Sequence, residues 1–112
     1  MKGLFMIPLA LTVAVPRPTT PDCAGPERWP ASMAFVLLKN AGLTNNDRTD
    51  FDSIEVTRLA SERTSRRMHH QVHHIVLPQK DGTALEVITV NDASFEECSE
   101  SPVTVFLVAR SL

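Results

Sequence analysis

The sequence predicts an α+β domain in which one N-terminal helix packs on a four-stranded antiparallel sheet. Three observations predict it. A single helical stretch comes first, and four strand-like segments follow it, separated by loops of hairpin length. The chain has 112 residues, which is room for one domain. With 43% hydrophobic residues and a formal net charge of -2, it is expected to fold rather than remain disordered.

The helix is predicted from its start and stop signals. Pro30 suits the first turn of a helix, and residues 31–41 contain no helix breaker. Gly42 stands where a C-terminal cap is expected, and Lys39 lies in the last turn, at the negative end of the helix dipole. Because the apolar residues cover most of the helix circumference, contact with protein on more than one side is expected. These residues are Met33, Ala34, Phe35, Val36, Leu37, Leu38 and Ala41.

The strands are predicted from alternating or β-branched apolar patterns. They cover residues 54–61, 68–77, 85–90 and 103–109. Residues 43–52 are rich in Asn and Asp and are predicted to form a loop. Asp81-Gly82 between two apolar runs predicts a hairpin turn. A helix followed by four such strands has a cystatin-like outline.

The last strand, residues 103–109, is almost continuously apolar. Such a strand is expected either to be buried on both faces or to have a partner lying against it. The loop before it, residues 91–102, is polar and contains Cys98.

The N-terminus has the features of a secretory signal. Lys2 precedes an apolar run, residues 3–15, which is shorter than the roughly 20 residues that span a membrane. We expect residues 1–14 to be removed, residues 15–29 to form a Pro-rich arm, and residues 30–112 to form the domain. The mature protein would then be periplasmic or secreted, without a stable membrane anchor. The alternative is a cytosolic protein in which the apolar run is a buried strand or helix.

The two cysteines support export. Cys23 and Cys98 are an even pair in a chain predicted to reach an oxidising compartment, so we expect them to form a disulfide. In the chain-entropy account such a bridge contributes on the order of 4 kcal/mol. Zinc binding by the same cysteines with histidines is the alternative, although the spacing typical of zinc sites is missing.

Four histidines, His69, His70, His73 and His74, form a cluster. In a helix, residues four apart would share one face and could chelate a metal ion. In a strand, four residues span roughly 13 Å and neighbouring side chains point to opposite faces, so no pair could share an ion. The surrounding aliphatic residues favour a strand, and no cofactor is therefore predicted. A metal site at this cluster remains the alternative.

Charged residues form two groups. Asp92, Glu96, Glu97 and Glu100 lie around Cys98. They form either a solvated loop or a surface that binds an oppositely charged protein partner, and a disulfide would hold this loop rigid. The basic group allows the same two interpretations and consists of Arg58, Arg63, Arg66 and Arg67.

Composition and motifs exclude several functions. With 11 Lys and Arg against 13 Asp and Glu, the chain lacks the basic surface that nucleic acid attracts. There is no G-x-S-x-G or H-E-x-x-H motif, and the four glycines are not grouped as in a phosphate-binding loop. We therefore predict that the protein is not an enzyme.

The sequence resembles a group of small uncharacterised exported proteins of Gram-negative bacteria over roughly residues 23–112. The resemblance is carried by Trp29-Pro30, Leu38-Lys-Asn-Ala-Gly42, Glu86-Val-Ile-Thr-Val-Asn-Asp-Ala-Ser94 and Glu97-Cys-Ser99. It implies no catalytic or ligand-binding residues. By analogy of size and location, the expected function is a non-enzymatic binding module, such as a periplasmic immunity protein or inhibitor that occludes a protein partner. A periplasmic metal-binding protein is the alternative, and a self-associating envelope subunit is a third hypothesis.

Overall fold

The computed structural model describes residues 18–110, together with Gly3. The predicted α+β class, with one helix and a four-stranded antiparallel sheet, is confirmed. The elements are α1 (Trp29–Asn40), a short 3-10 turn (Phe51–Ser53), β1 (Glu55–Arg63), β2 (His69–Pro78), β3 (Ala84–Ala93) and β4 (Thr104–Arg110). Apart from Gly3, the predicted signal segment at residues 1–14 lies outside the described residues.

The sheet is a meander with strand order β1-β2-β3-β4, so β1 and β4 are its edges. Alternation along β2 and β3 gives two different faces. Odd-numbered residues of these strands are buried and form what we call the core face, whereas even-numbered residues are half-buried or exposed and form the open face. The β2–β3 turn contains Gly82 at φ 91°, a backbone conformation that glycine adopts without a steric penalty.

Helix α1 covers part of the core face. Its buried residues Ala31, Ala34 and Leu38 pack against apolar side chains of the sheet, chiefly Ile54, Ile75, Leu77, Leu85 and Val87. Gly42, at φ 77°, donates its N–H to the Lys39 carbonyl just after the helix ends. Contact with protein on more than one side of the helix was expected. Among residues 18–110, one sheet layer packs against α1 and Val36 and Leu37 are exposed, so this expectation is not met there. In residues 18–110, no helix combines the length and apolar character needed to cross a membrane.

Two strands differ from their predicted form. β3 continues to Ala93, because Asn91 and Asp92 pair in register with Gln71 and His70 of β2 and this pairing outweighs their low strand propensity. β4 is not buried on both faces. Phe106, Leu107 and Val108 are 54%, 47% and 57% exposed, since β4 is an edge strand and α1 lies over other parts of the sheet.

Candidate functional site

Three segments lie at one end of the sheet, which we call the tethered end. They are residues 18–24 of the Pro-rich arm, the β1–β2 turn at residues 64–68 and the β3–β4 loop at residues 94–103. The turn and the loop share this end because the strands run antiparallel. The predicted disulfide between Cys23 and Cys98 is present, with a Cα–Cα distance of 5.7 Å, and it joins the arm to the loop. It closes a sequence separation of 75 residues.

The β3–β4 loop is also held by hydrogen bonds. Ser94 N–H donates to the Glu97 carbonyl at 2.8 Å, and Glu97 N–H donates to Ser94 Oγ at 3.1 Å. The four residues 94–97 therefore form a tight turn. Asn91 Nδ2 donates to the Cys98 carbonyl at 2.7 Å, which fixes the loop to the end of β3 next to the disulfide.

Phe95 occupies a central position of this turn. Its side chain is 54% exposed, and its ring contacts the buried His69 ring edge-on, with the two ring centres 5.5 Å apart. Aromatic side chains are enriched in protein interfaces and often supply much of the binding energy. Sequence reasoning missed Phe95. The available signal was one large aromatic residue between a turn-forming Ser94 and the carboxylate of Glu96.

The predicted acidic partner site is divided by the structure. Glu96 and Glu97 are exposed in the turn, and Glu100 is exposed further along the loop, where its Oε1 accepts a hydrogen bond from Ser94 Oγ at 3.1 Å. Asp92 instead lies on the open face of β3, where a carboxylate oxygen is 2.7 Å from His70 Nδ1. The three glutamates thus belong to the tethered end, and Asp92 does not.

The basic group is also divided, because Arg58 lies within β1 and the other three arginines lie at or in the β1–β2 turn. Arg63 donates to the backbone carbonyls of Ser65 at 3.2 Å and Arg66 at 3.4 Å, which stabilises the β1–β2 turn. Arg66 and Arg67 are exposed in that turn. The tethered end therefore presents a cationic turn as well as an anionic loop.

The four histidines are separated by the strand, as the extended geometry predicted. His69 and His73 lie on the core face, whereas His70 and His74 lie on the open face and pair with carboxylates of β3. The imidazoles of His70 and His74 are therefore on the more exposed side of the sheet, and those of His69 and His73 are buried. Among residues 18–110, no group of three or more His, Cys, Asp or Glu side chains is arranged to hold a metal ion.

Beside the arm, the core face is polar. Gln71, His73, Thr89 and Asn91 are at most 2% exposed and are cross-strand neighbours, with Gln71 opposite Asn91 and His73 opposite Thr89. We call these four residues the polar layer. Gln71 Nε2 donates to the Pro21 carbonyl at 2.9 Å, which connects the layer to the arm.

Several polar atoms of this layer lack a hydrogen-bond partner within the part of the chain that the structure describes. They are Gln71 Oε1, both ring nitrogens of His73, Thr89 Oγ1 and Asn91 Oδ1. A buried polar atom without a partner costs on the order of 1 to 3 kcal/mol. Each of these atoms is therefore expected to cost stability in this part of the core.

The environment of His73 lowers the pKa of its imidazole from the ordinary 6.5. Burial is the largest cause, and the positive charge of Arg58 adds to it, while the negative charge of Asp22 acts in the opposite direction. Arg58 lies opposite His73 in the β1–β2 register, and its Nη1 donates to the Pro21 carbonyl at 3.5 Å. His73 is thus a neutral buried side chain at neutral pH.

The change Thr89→Val is expected to stabilise the protein by about 1 kcal/mol. Valine has almost the shape of threonine and removes the hydroxyl that has no partner among the described residues. Urea unfolding of both proteins measures the difference. Thr57→Val is the matched control, because Thr57 is exposed on β1 and the same change there should have little effect. A loss of stability in Thr89→Val would show that the hydroxyl is hydrogen-bonded.

A groove of about 570 Å³ lies beside α1. Its lining is mostly apolar and consists of Pro26, Glu27, Ala31, Ser32, Phe35, Val36, Phe51, Asp52 and Ile54. The one hydroxyl in this lining, Ser32 Oγ, donates to the backbone carbonyl of Glu27 at 3.3 Å. The polar side chains of the lining are the carboxylates of Glu27 and Asp52 and the hydroxyl of Ser32.

The chain was also compared with known proteins. No family model, no curated protein and no solved structure matches it.

Proposed function

We propose that the protein is an exported, non-enzymatic binding module that blocks a protein partner by covering part of its surface with the tethered end. The observation that carries the proposal is the exposed Phe95 in a turn that a disulfide and hydrogen bonds hold in place. The partner would be a protein whose activity must be suppressed, as for an immunity protein or an inhibitor.

Rigidity supports this proposal. A loop that is already ordered loses little conformational entropy on binding, so more of the contact energy appears as affinity. The turn at residues 94–97 and the Cys23–Cys98 disulfide provide this order before a partner arrives. Phe95 would be the apolar anchor, inserted into a pocket of the partner.

The charges of the tethered end support a partner that has a basic patch opposite the β3–β4 loop. Glu96 and Glu97 are exposed next to Phe95, and carboxylates around an aromatic anchor would attract and orient a cationic surface. The neighbouring cationic turn with Arg66 and Arg67 would then meet an acidic patch on the same partner. Complementarity of both signs would select one partner over others.

The proposal includes a cystatin-like outline for the helix and the four-stranded sheet. The meeting of arm, turn and loop at one end of this sheet suits an inhibitor that acts by occlusion. A disulfide is compatible with an oxidising, exported location, and it fits a periplasmic or secreted protein.

The test is capture of a partner from periplasmic extract with the exported protein tagged after Leu112. We expect Phe95→Ala to weaken the complex by about tenfold or more, because the aromatic anchor is lost. Replacing Glu96 and Glu97 by lysine should slow association and reduce its dependence on salt. Leu59→Ala is the matched control, since Leu59 is 57% exposed but lies on β1, outside the tethered end.

Three outcomes would contradict the proposal. One is that no protein is retained by the unmodified chain. Another is that Phe95→Ala and Leu59→Ala retain the same amount of partner. The third is a captured protein whose activity is unaffected by the complex.

A further inference from the structure

We propose that β4 is the interface of a symmetric dimer, in which the β4 strands of two copies pair antiparallel and the two sheets join into one of eight strands. This inference goes beyond the proposed function, because the interface is the edge of the sheet and contains none of the residues assigned to partner binding.

The two edge strands of the sheet, β4 and β1, differ in the charge of their side chains. Thr104–Ala109 of β4 contain no charged residue and no proline. Their apolar side chains Phe106, Leu107 and Val108 are 54%, 47% and 57% exposed. Edge strands of monomeric proteins are usually protected by charge, proline, a bulge or a covering segment, because their unpaired backbone groups can bind another strand.

β1 has that protection. Arg58, Glu62 and Arg63 place charges along it. Both edge strands have a register shift against their neighbour, at Leu59 in β1 and at Val108 in β4, so the charges and not the shifts distinguish the two edges. The arm also lies next to this part of the sheet, since Arg58 donates to the Pro21 carbonyl. β4 is therefore the edge better suited to pair with another strand, and pairing through this edge alone favours a closed dimer over an open chain of copies.

The charges of β4 and of the β3–β4 loop favour a second copy in antiparallel orientation. The uncharged stretch of β4 places no like charges opposite each other when it pairs with itself. The acidic β3–β4 loop, with Glu97 and Glu100, precedes the first residue of β4. Antiparallel pairing over the 7 residues of β4 puts the loops of the two copies at opposite ends, about 23 Å apart. This exceeds the Debye length of about 8 Å at physiological ionic strength, whereas parallel pairing would bring the loops together.

The faces also match. A two-fold axis perpendicular to the sheet keeps the core faces of both copies on the same side. Val105 and Leu107 pair with Thr89 and Val87 on the core face, and Phe106 pairs with Ile88 on the open face. The dimer would therefore bring like faces together, apolar side chain against apolar side chain. A single strand edge buries less than the about 800 Å² per partner of a typical stable interface, so we expect a dissociation constant of about 10 to 100 µM.

Sedimentation equilibrium of the purified protein from about 1 µM to about 1 mM tests the proposal. We expect a monomer–dimer equilibrium in this range. Leu107→Lys should raise the dissociation constant at least about tenfold, because Leu107 is the middle residue of β4 and the two lysines would lie close together. Leu59→Lys makes the same change on the protected edge and should leave the equilibrium unchanged.

A second measurement locates the interface. In a sample that mixes two isotope labellings, isotope-filtered NMR should show contacts between copies among the backbone amides of β4. Circular dichroism checks that the variants are folded, and Val108→Lys replaces Leu107→Lys if the latter is not. A monomer at every concentration overturns the proposal. So does a dimer that survives both β4 variants, or one that is lost in Leu59→Lys.

Discussion

Removal of the Cys23–Cys98 disulfide is expected to lower the free energy of unfolding by about 4 kcal/mol. The bridge closes a sequence separation of 75 residues, and in the chain-entropy account such a long loop restricts the unfolded chain strongly. Small domains are stable by only about 5 to 15 kcal/mol, so this is a large fraction of the total. The arm should be affected most, because Cys23 is fully buried and Pro21 is hydrogen-bonded to Gln71.

Urea unfolding of the variant with both Cys23→Ala and Cys98→Ala, compared with the oxidised protein, measures this loss. The unmodified protein under reducing conditions should give nearly the same value as the double variant. Hydrogen exchange should show that residues 18–24 lose protection before the strands do. A difference below about 1 kcal/mol would show that the bridge does not restrict the unfolded chain as the entropy account requires.

The sheet was predictable because its sequence signals are local. The β-branched run at Leu85–Val90 and the Asp81-Gly82 turn specify strand and hairpin almost independently of the rest of the chain. The disulfide followed from the parity of the cysteines together with the predicted export. Its position is confirmed by the structure, in which both cysteines lie at the tethered end.

The candidate site was only partly predictable, because it depends on contacts between distant segments. The exposure of Phe95 results from a turn that Asn91 and the Cys98 carbonyl help to fix, and a local pattern does not contain that contact. The spacing of His69 and His73 showed that they share a face. Which face is buried depends on where α1 and the arm lie, and the alternation of side chains along the strand does not give that information.

β4 shows a third kind of limit. An apolar run indicates only that the side chains avoid water, and it does not say what covers them. Burial inside one chain and burial between two chains give the same sequence pattern. In the described part of the chain Phe106 and Val108 are 54% and 57% exposed, so this part of the chain does not cover them.

His73 is expected to make the protein less stable as the pH falls below about 6.5, the ordinary pKa of histidine. In the folded protein, burial and Arg58 lower the pKa of this imidazole, whereas in the unfolded chain the pKa has its ordinary value. Between the two values the unfolded chain binds more protons, so protonation favours unfolding. The contribution of neutral His73 to the free energy of unfolding is complete above pH 6.5 and is lost as the pH falls towards the lowered pKa. Over this range the free energy of unfolding changes by at most about 1.4 kcal/mol per pH unit.

Urea unfolding at a series of pH values, from about pH 8 to about pH 5, measures this slope in the unmodified protein and in three variants. His73→Leu should flatten it. Arg58→Met should reduce it and Asp22→Asn should increase it, because these two charges shift the pKa of His73 in opposite directions. The two charge variants are expected to change the slope in opposite directions. Each substitution also alters packing or hydrogen bonding, but that effect shifts the free energy of unfolding by a similar amount at every pH and leaves the slope unchanged. If His73→Leu keeps the slope of the unmodified protein, another group is responsible for the loss, and the polar layer is not what makes the fold sensitive to acid.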